Sequence, residues 1–222
     1  LLDEPMSALD AQLRERLRLQ VRSIQSTLGL TTVYVTHDQE EALAISDRVA
    51  VMRDGALEQV APPRTIYRAP ATEFVAAFVG DNNLFTGRVT AIENGDATVS
   101  STHQASEANT PTDAGSDQPA QRLTLDVDGT SLTVDGPPAH ELPIAVSDTV
   151  TWCVRPEHLV VNAVHNQIDA TVDNAEFIGE TTRVHLTWHG NPLILRARDP
   201  LSGTVTIGFD PAAAHIISVD TA

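Results

Sequence analysis

The sequence predicts a chain of two classes, an α/β segment over residues 1–80 followed by an all-β domain over 81–222. Three observations predict it. Up to Gly80, short β-branched runs alternate with stretches of helical periodicity, the pattern of a largely buried sheet flanked by helices. After "GDNNLF" the helical period disappears, and short alternating strands separated by turn residues take over, as in a small β-barrel. The length, 222 residues, suits one or two domains.

The elements follow in order. "LLDEP" reads as an apolar strand that ends at Asp3 and Glu4 and turns at Pro5. Leu9, Leu13, Leu17, Val21, Ile24 and Leu28 share one helical face, which predicts a helix over 9–28. Asp10 stands at its N-cap position and Gly29 at its C-terminal stop. Arg14, Glu15, Arg16, Arg18 and Arg22 lie between the apolar positions and read mostly as a solvated face with local ion pairs. Thr31 to Thr36 form a short strand ending at His37 and Asp38, and "QEEALAISD" turns helical. "RVAVMRDG" and "ALEQV" make a hairpin at Gly55, and "PPRTIYRAP" and "TEFVAAFVG" make two short helices separated by Pro70.

In the β-part, Leu123, Leu125 and Val127 alternate onto one face, as do Val150, Trp152 and Val154, and Val205, Ile207 and Phe209. "RVHLTWHGNPLILRA" reads as a hairpin around Gly190 and Asn191. Residues 101–121 are polar, acidic and Pro-containing, which predicts a disordered loop inserted between two barrel strands. Trp152 and Trp188 are expected in the barrel core or rim, and Cys153 as a small buried hydrophobe. His158, His165, His185, His189 and His215 have no ligand-like spacing, so no metal site is expected there.

The formal net charge is −16, and all fourteen basic residues are arginine. Nucleic acid is excluded as a partner class, because phosphate binding needs a basic face. An acidic, lysine-free surface suits a very salty cytoplasm, where self-repulsion is screened over a few ångströms, and so a salt-loving microbe. No apolar run reaches the ~20 residues of a membrane-spanning helix. The chain begins with Leu1 in the middle of an apolar run, which leads us to expect an upstream part.

Two adjacent carboxylates at a strand end repel each other and call for a partner. The next strand ends at His37. In a parallel sheet built by right-handed crossovers, both strands end on the same edge, where open α/β sheets bind ligands. Asp3, Glu4 and His37 are therefore expected to converge. Such a trio suits nucleotide chemistry: one carboxylate for water-mediated Mg²⁺, one to deprotonate an attacking water, and an imidazole to donate to a phosphate oxygen.

"LLDEPMSALD", then "TTVYVTHDQEEALAISDRVAVMRDG", then "PPRTIYRAPATEFVAAFVG" together resemble the ATPase subunits of ABC transporters. "LLDEP" is similar to the Walker B strand, "SALD" to the D-loop and "THD" to the switch-histidine segment. Met6 departs from the commoner Leu or Phe. The resemblance implies that Asp3 binds Mg²⁺ through water, that Glu4 is the general base for ATP hydrolysis, and that His37 contacts the γ-phosphate. It implies also that Ser7, Ala8, Leu9 and Asp10 reach across a homodimer to the partner's site. "PPRTIYRAPATEFVAAFVGDNNLFTGRV" resembles the segment joining importer ATPases to a C-terminal TOBE domain, an OB-like barrel. "CVRPEHLVV" is similar to that domain's Arg-Pro-Glu strand end, which marks Arg155, Pro156 and Glu157 as regulatory candidates, and "GTVTIGFDPAAAHIISVD" to its closing strands. "FVGDNNLFTGRV" leans toward the polyamine and iron importers.

By this resemblance the chain is an α/β remnant of an ABC-type ATPase domain over 1–80 and a TOBE-like barrel over 81–222. It implies transmembrane permease subunits and, indirectly, an extracellular solute-binding protein as partners, at the cytoplasmic face of the membrane. The G-x-x-x-x-G-K-[ST] loop, the Gln-bearing loop and the "LSGGQ" helix of the family do not occur in the 222 residues. Without that phosphate cradle the chain alone is not expected to hydrolyse ATP. Two other readings stay open. The barrel can be a solute-sensing or regulatory binding module beside a vestigial ATPase half, with Arg155 to Glu157 serving it or forming a plain structural turn. A chromosome-associated or DNA-repair ATPase carries similar motifs, but the β-tail and the negative charge argue against it.

Overall fold

The computed structural model describes residues 1–94 and 121–222. The expected loop over 101–121 lies outside the described residues except for Gln121, which opens a strand and is buried. The chain divides into two compact units, Leu1–Asn82 and Asn83–Ala222.

In the first unit, β1 (Leu2–Asp3) precedes α1 (Ala11–Leu28), β2 (Tyr34–Val35), α2 (Gln39–Ile45), β3 (Val49–Arg53), β4 (Ala56–Ala61), α3 (Pro63–Arg68) and α4 (Glu73–Phe78). Asp10 caps α1, its carboxylate accepting from Leu13 N at 2.9 Å, and Gly29 ends it in the left-handed conformation. β1 and β2 pair in parallel, with Leu2 opposite Tyr34 and Asp3 opposite Val35. β3 and β4 form the hairpin, and Val51, Ile66, Val75 and Val79 make a small core beneath it.

Two expectations for this unit need correction. The sheet is not largely buried: β1 and β2 form a two-stranded pair, and Val33 and Val35 are exposed. Nor is the apolar face of α1 fully covered: Leu13, Ile24 and Leu28 are exposed, while Leu9, Leu17 and Val21 are half-buried. A helix stays in place by what it docks on. Here α1 docks partly through its arginines. Arg14 reaches Asp38, and Arg22 donates to the Ile45 carbonyl and to Asp47. These pairs join distant elements and are not local helix-surface pairs. Beside the free edge of β2 lies an apolar cleft of about 750 Å³, lined among others by Val21, Leu30, Val33, Val35 and Phe78.

The second unit is all strand apart from two 3₁₀ turns among the described residues. β5 (Asn83–Asn94), β6 (Gln121–Val127), β7 (Thr130–Gly136) and β8 (Thr149–Val154) are followed by β9 (Val160–Val161), β10 (Ile168–Phe177), β11 (Thr182–Trp188), β12 (Asn191–Ala197), β13 (Thr204–Gly208) and β14 (Ala214–Asp220). They form two antiparallel five-stranded sheets, β14-β8-β5-β6-β7 and β12-β11-β10-β13-β9. The connectivity is the same in both. β5 pairs with β6 and β8 as β10 pairs with β11 and β13, and the hairpins β6–β7 and β11–β12 correspond. The fifth strands are exchanged. β9 follows β8 but completes the second sheet, and β14 follows β13 but completes the first. A proline-initiated 3₁₀ turn precedes each of these, Pro156–His158 and Pro211–Ala213. The sequence reading anticipates one small barrel; the duplicated, strand-exchanged design is a finding of the structure.

The alternation read from the sequence is the burial pattern of β6; β8 instead is buried on both faces, Thr151 and Cys153 along with Val150, Trp152 and Val154, and in β13 Ile207 is buried while Val205 is half-buried. Both sheets feed one core. Phe85 of β5 stacks on Trp152 of β8 (centroids 5.6 Å apart) and packs at 6.1 Å on Trp188 of β11 and at 5.8 Å on Phe209, which follows β13. The two tryptophans are thus core residues, 0% and 3% exposed. The tight turns Asp128–Gly129 and His189–Gly190 both have left-handed backbone at each central residue, the geometry of a two-residue hairpin that matches strand twist.

Each sheet has an edge strand whose outward backbone groups are taken by an asparagine side chain. Asn83 donates Nδ2–H to the Ile194 carbonyl (2.9 Å) and accepts from Ile194 N (2.7 Å) on the edge strand β12. Asn166 donates to the Thr133 carbonyl (2.7 Å) and accepts from Thr133 N (2.6 Å) on the edge strand β7. The amide mimics one residue of an adjoining strand and closes an edge that otherwise invites foreign pairing. Asn83→Ala leaves the N–H and C=O of Ile194 without these partners, at about 1–3 kcal/mol for an unsatisfied buried group. A fall in the urea midpoint with an unchanged slope is the expected outcome; an unchanged midpoint refutes the clamp.

Candidate functional site

The candidate site is built where β1 and β2 end. Leu2 N donates to the Val33 carbonyl and Glu4 N to the Val35 carbonyl, both at 2.9 Å, which places the residues after Asp3 and after Val35 side by side. His37 Nδ1 lies 3.3 Å from Glu4 Oε1, with the side chains 71% and 48% exposed. Two residues remote in sequence thus share one open surface at a strand edge.

Glu4 takes the left-handed backbone conformation, φ 42°. For a residue with a Cβ this costs roughly 1–2 kcal/mol, a kind of strain found at functional turns. The turn is held by Glu4's own carbonyl, which accepts from Ser7 N (3.3 Å) and Ser7 Oγ (3.1 Å). Met6 is buried beneath it, and Leu9 N donates to the Met6 carbonyl at 3.2 Å. Ser7, Ala8, Leu9 and Asp10 therefore form a short ordered loop leading into α1, exposed at Ser7, Ala8 and Asp10. Asp3 is exposed and lies next to Glu4.

Behind His37 stands a set of polar groups that the sequence reading did not single out. Asp38 caps α2, its Oδ1 accepting from Glu41 N at 3.1 Å, while its backbone N–H donates to Thr36 Oγ1 at 3.0 Å. Thr36 Oγ1 in turn donates to Glu41 Oε2 at 2.5 Å. Glu41 is buried, and its Oε1 and the Tyr34 hydroxyl are both buried without a hydrogen-bond partner. The spacing Thr36–Asp38–Glu41, a Ser/Thr-x-Asp-x-x-Glu pattern opening a helix, was the available signal for this network.

No group of three or more His, Cys, Asp or Glu is arranged to hold a metal ion among the described residues. Mg²⁺ needs no such cluster, since that ion takes one or two carboxylates and leaves its remaining positions to water and substrate phosphates. The exposed Asp3 and Glu4 are hard oxygen donors of that type. In the second unit, Arg155 is buried after β8 and begins the turn Pro156–His158, with Pro156 buried and Glu157 exposed. Arg155, Pro156 and Glu157 lie in the other unit from Glu4 and His37.

Residues 152–217 match the TOBE domain model. The chain is 36% identical over 201 residues to the spermidine/putrescine import ATP-binding protein PotA of Ruegeria pomeroyi, covering 90% of this chain and 46% of that protein. It is 39% identical over 205 residues to the sulfate/thiosulfate import ATP-binding protein CysA 2 of Chromobacterium violaceum, covering 89% and 45%. It is 52% identical over 99 residues to the Fe(3+) ions import ATP-binding protein FbpC of Brucella abortus, covering 45% and 28%. The chain thus spans about half the length, or less, of the curated relatives it matches. Among solved structures, the cytoplasmic molybdate-binding protein ModG shows a loose likeness, with a TM-score of 0.46 and 13% identity over 60% of this chain and 94% of that one.

The environment of Tyr34 makes a prediction of its own. Burial raises its phenol pKa above the ordinary value, and the neighbouring Glu41 carboxylate, then Asp38, push the same way against Arg18. With the folded pKa above the unfolded value near 10, this contribution to stability is complete below about pH 10 and is lost as pH rises through the folded pKa. In an ultraviolet titration Tyr34, one of two tyrosines, should release its proton later than a free phenol, and Tyr34→Phe should remove that late step. Ordinary titration of both rings refutes the arrangement.

Proposed function

We propose that this chain is the C-terminal part of the ATP-hydrolysing subunit of an ABC import system, with a regulatory β-domain as its second unit. The observation that carries the proposal is the 3.3 Å approach of His37 Nδ1 to Glu4 Oε1 at the adjoining ends of two parallel strands. The resemblance of "DEPMSALD" and "VTHD", and the import ATP-binding relatives, support the same reading.

In this reading Glu4 accepts the proton of the attacking water, and His37 donates to a terminal phosphate oxygen. Asp3 holds Mg²⁺ through water, and the ion supplies charge neutralisation on the phosphate oxygens when bound. Ser7 to Asp10 face a second ATPase subunit. The apolar cleft beside β2 and the exposed Leu13, Ile24 and Leu28 of α1 receive the half of the ATPase domain that carries the glycine-rich loop. Permease subunits anchor the assembly at the cytoplasmic face of the membrane, with a solute-binding protein delivering the cargo. "FVGDNNLFTGRV" and the PotA and FbpC relatives favour a polyamine or ferric ion as solute, and the lysine-free acidic surface suits a high-salt cytoplasm.

Two measurements test this. The 222-residue chain alone should show no steady phosphate release from MgATP, since it lacks the phosphate loop. A complete subunit, made by joining the preceding half of a relative to Leu1, should hydrolyse MgATP, and Glu4→Gln should lower its turnover by about 10²–10⁴-fold. Turnover by the chain alone, or an active fusion indifferent to Glu4→Gln, overturns the assignment.

A further inference from the structure

The loop Ser7–Asp10 and the His37 turn are separate pieces of the first unit, and Arg14 touches both. Its Nη2 donates to the Leu9 carbonyl and its Nη1 to Asp38 Oδ2, each at 3.1 Å. Its backbone N–H donates to the Asp10 carbonyl at 2.9 Å. One residue, a turn into α1, therefore grips the loop at two carbonyls and the His37 turn at a carboxylate. The Arg14 and Asp38 side chains are 30% and 26% exposed, so the pair is partly withdrawn from solvent.

On the other side of the pair, Asp38 has little freedom. Its second oxygen caps α2 and its N–H is tied to Thr36, which is itself tied to the buried Glu41. Asp38 directly follows the histidine whose ring faces Glu4. A shift of the Leu9 carbonyl thus moves the guanidinium, and a rigid planar fork passes the shift to Asp38. Lysine cannot replace it, because a single ammonium on a flexible stem does not hold two acceptors at fixed separation and direction.

We propose that Arg14 is a positioning residue that couples the Ser7–Asp10 loop to the His37–Glu4 pair. The state of a surface facing another subunit is thereby registered at the hydrolytic residues. The subunit-facing and hydrolytic roles rest on the reading in the preceding section; the coupling itself is a property of this chain.

The test is heteronuclear NMR on the 222-residue chain without nucleotide, reading the Leu9 and Glu41 amide exchange rates and the His37 imidazole resonances. Arg14→Lys should speed exchange at both amides by ~10-fold and shift the imidazole signals. Asp38→Asn keeps a capping side chain but breaks the ion pair, and it should disturb the Leu9 amide, which Asp38 does not touch. Arg16→Ala, an exposed site on the same helix, should do neither. A residue that merely stabilised α1 would leave the Leu9 amide unmoved in Asp38→Asn and the His37 ring unmoved in Arg14→Lys; that result overturns the coupling. If Arg14→Lys melts α1, the Asp38→Asn arm still decides. Intact coupling alongside an inactive fusion subunit would refute the ATPase reading alone.

Discussion

Two backbone hydrogen bonds, Leu2 N to Val33 O and Glu4 N to Val35 O, carry the arrangement of the first unit. They set β1 and β2 parallel in one register. A slip by one residue turns every side chain to the opposite face, and would part the Glu4 carboxylate from the His37 ring. The left-handed backbone at Glu4 depends on the same register, because the carbonyl that Ser7 holds is presented only when the strand stops there. Around this short pair the polar groups of α1 and α2 act as braces. Asp10 and Asp38 both spend one carboxylate oxygen on a helix cap, and Asp38 has its other oxygen on Arg14.

The second unit solves a different problem. Two five-stranded sheets leave edges, and each exposed edge offers unpaired N–H and C=O groups. The exchange of β9 and β14 ties each sheet to the other's chain segment, and Asn83 and Asn166 close the edges at β12 and β7. The centre is filled by aromatic rings from both sheets meeting at Phe85, so the two sheets bury one core and not two. Gly208 has no room for a side chain, since a Cβ there would lie 2.4 Å from the His165 carbonyl oxygen. That close approach sits beside Asn166, whose side chain also donates to the Phe209 carbonyl at 3.1 Å.

Periodicity, caps and turn residues are local properties, and they were legible. The helix over Ala11–Leu28 with its Asp10 and Gly29 ends, the hairpins at Gly55 and Gly190, and the alternating face of β6 follow from residues within a few positions of one another. Glu4 and His37 could be nominated because one crossover rule relates the ends of successive parallel strands. Arg14 could not, because its partner Asp38 lies across the fold and in the sequence it is an ordinary arginine of a polar helix face. Glu41 had a local mark in the Thr36–Asp38–Glu41 spacing, but its burial did not show there.

By itself, then, the sequence determined the α/β and all-β character of the two halves, the helices to within a few residues, the hairpins at Gly55 and Gly190, and β6, since each depends on short-range steric and hydrogen-bonding preference; the strand read over Thr31–Thr36 shortens to Tyr34–Val35 in the fold. Only the tertiary structure decided which apolar surfaces are covered. The stripe of α1 looks uniform in the sequence, but in the fold Leu13, Ile24 and Leu28 are exposed while Leu9, Leu17 and Val21 are half-buried, because burial is a property of what packs against a face. It decided likewise that two sheets exchange their last strands and that Arg14 spans Leu9 and Asp38, since both require chain segments remote in sequence to meet in space.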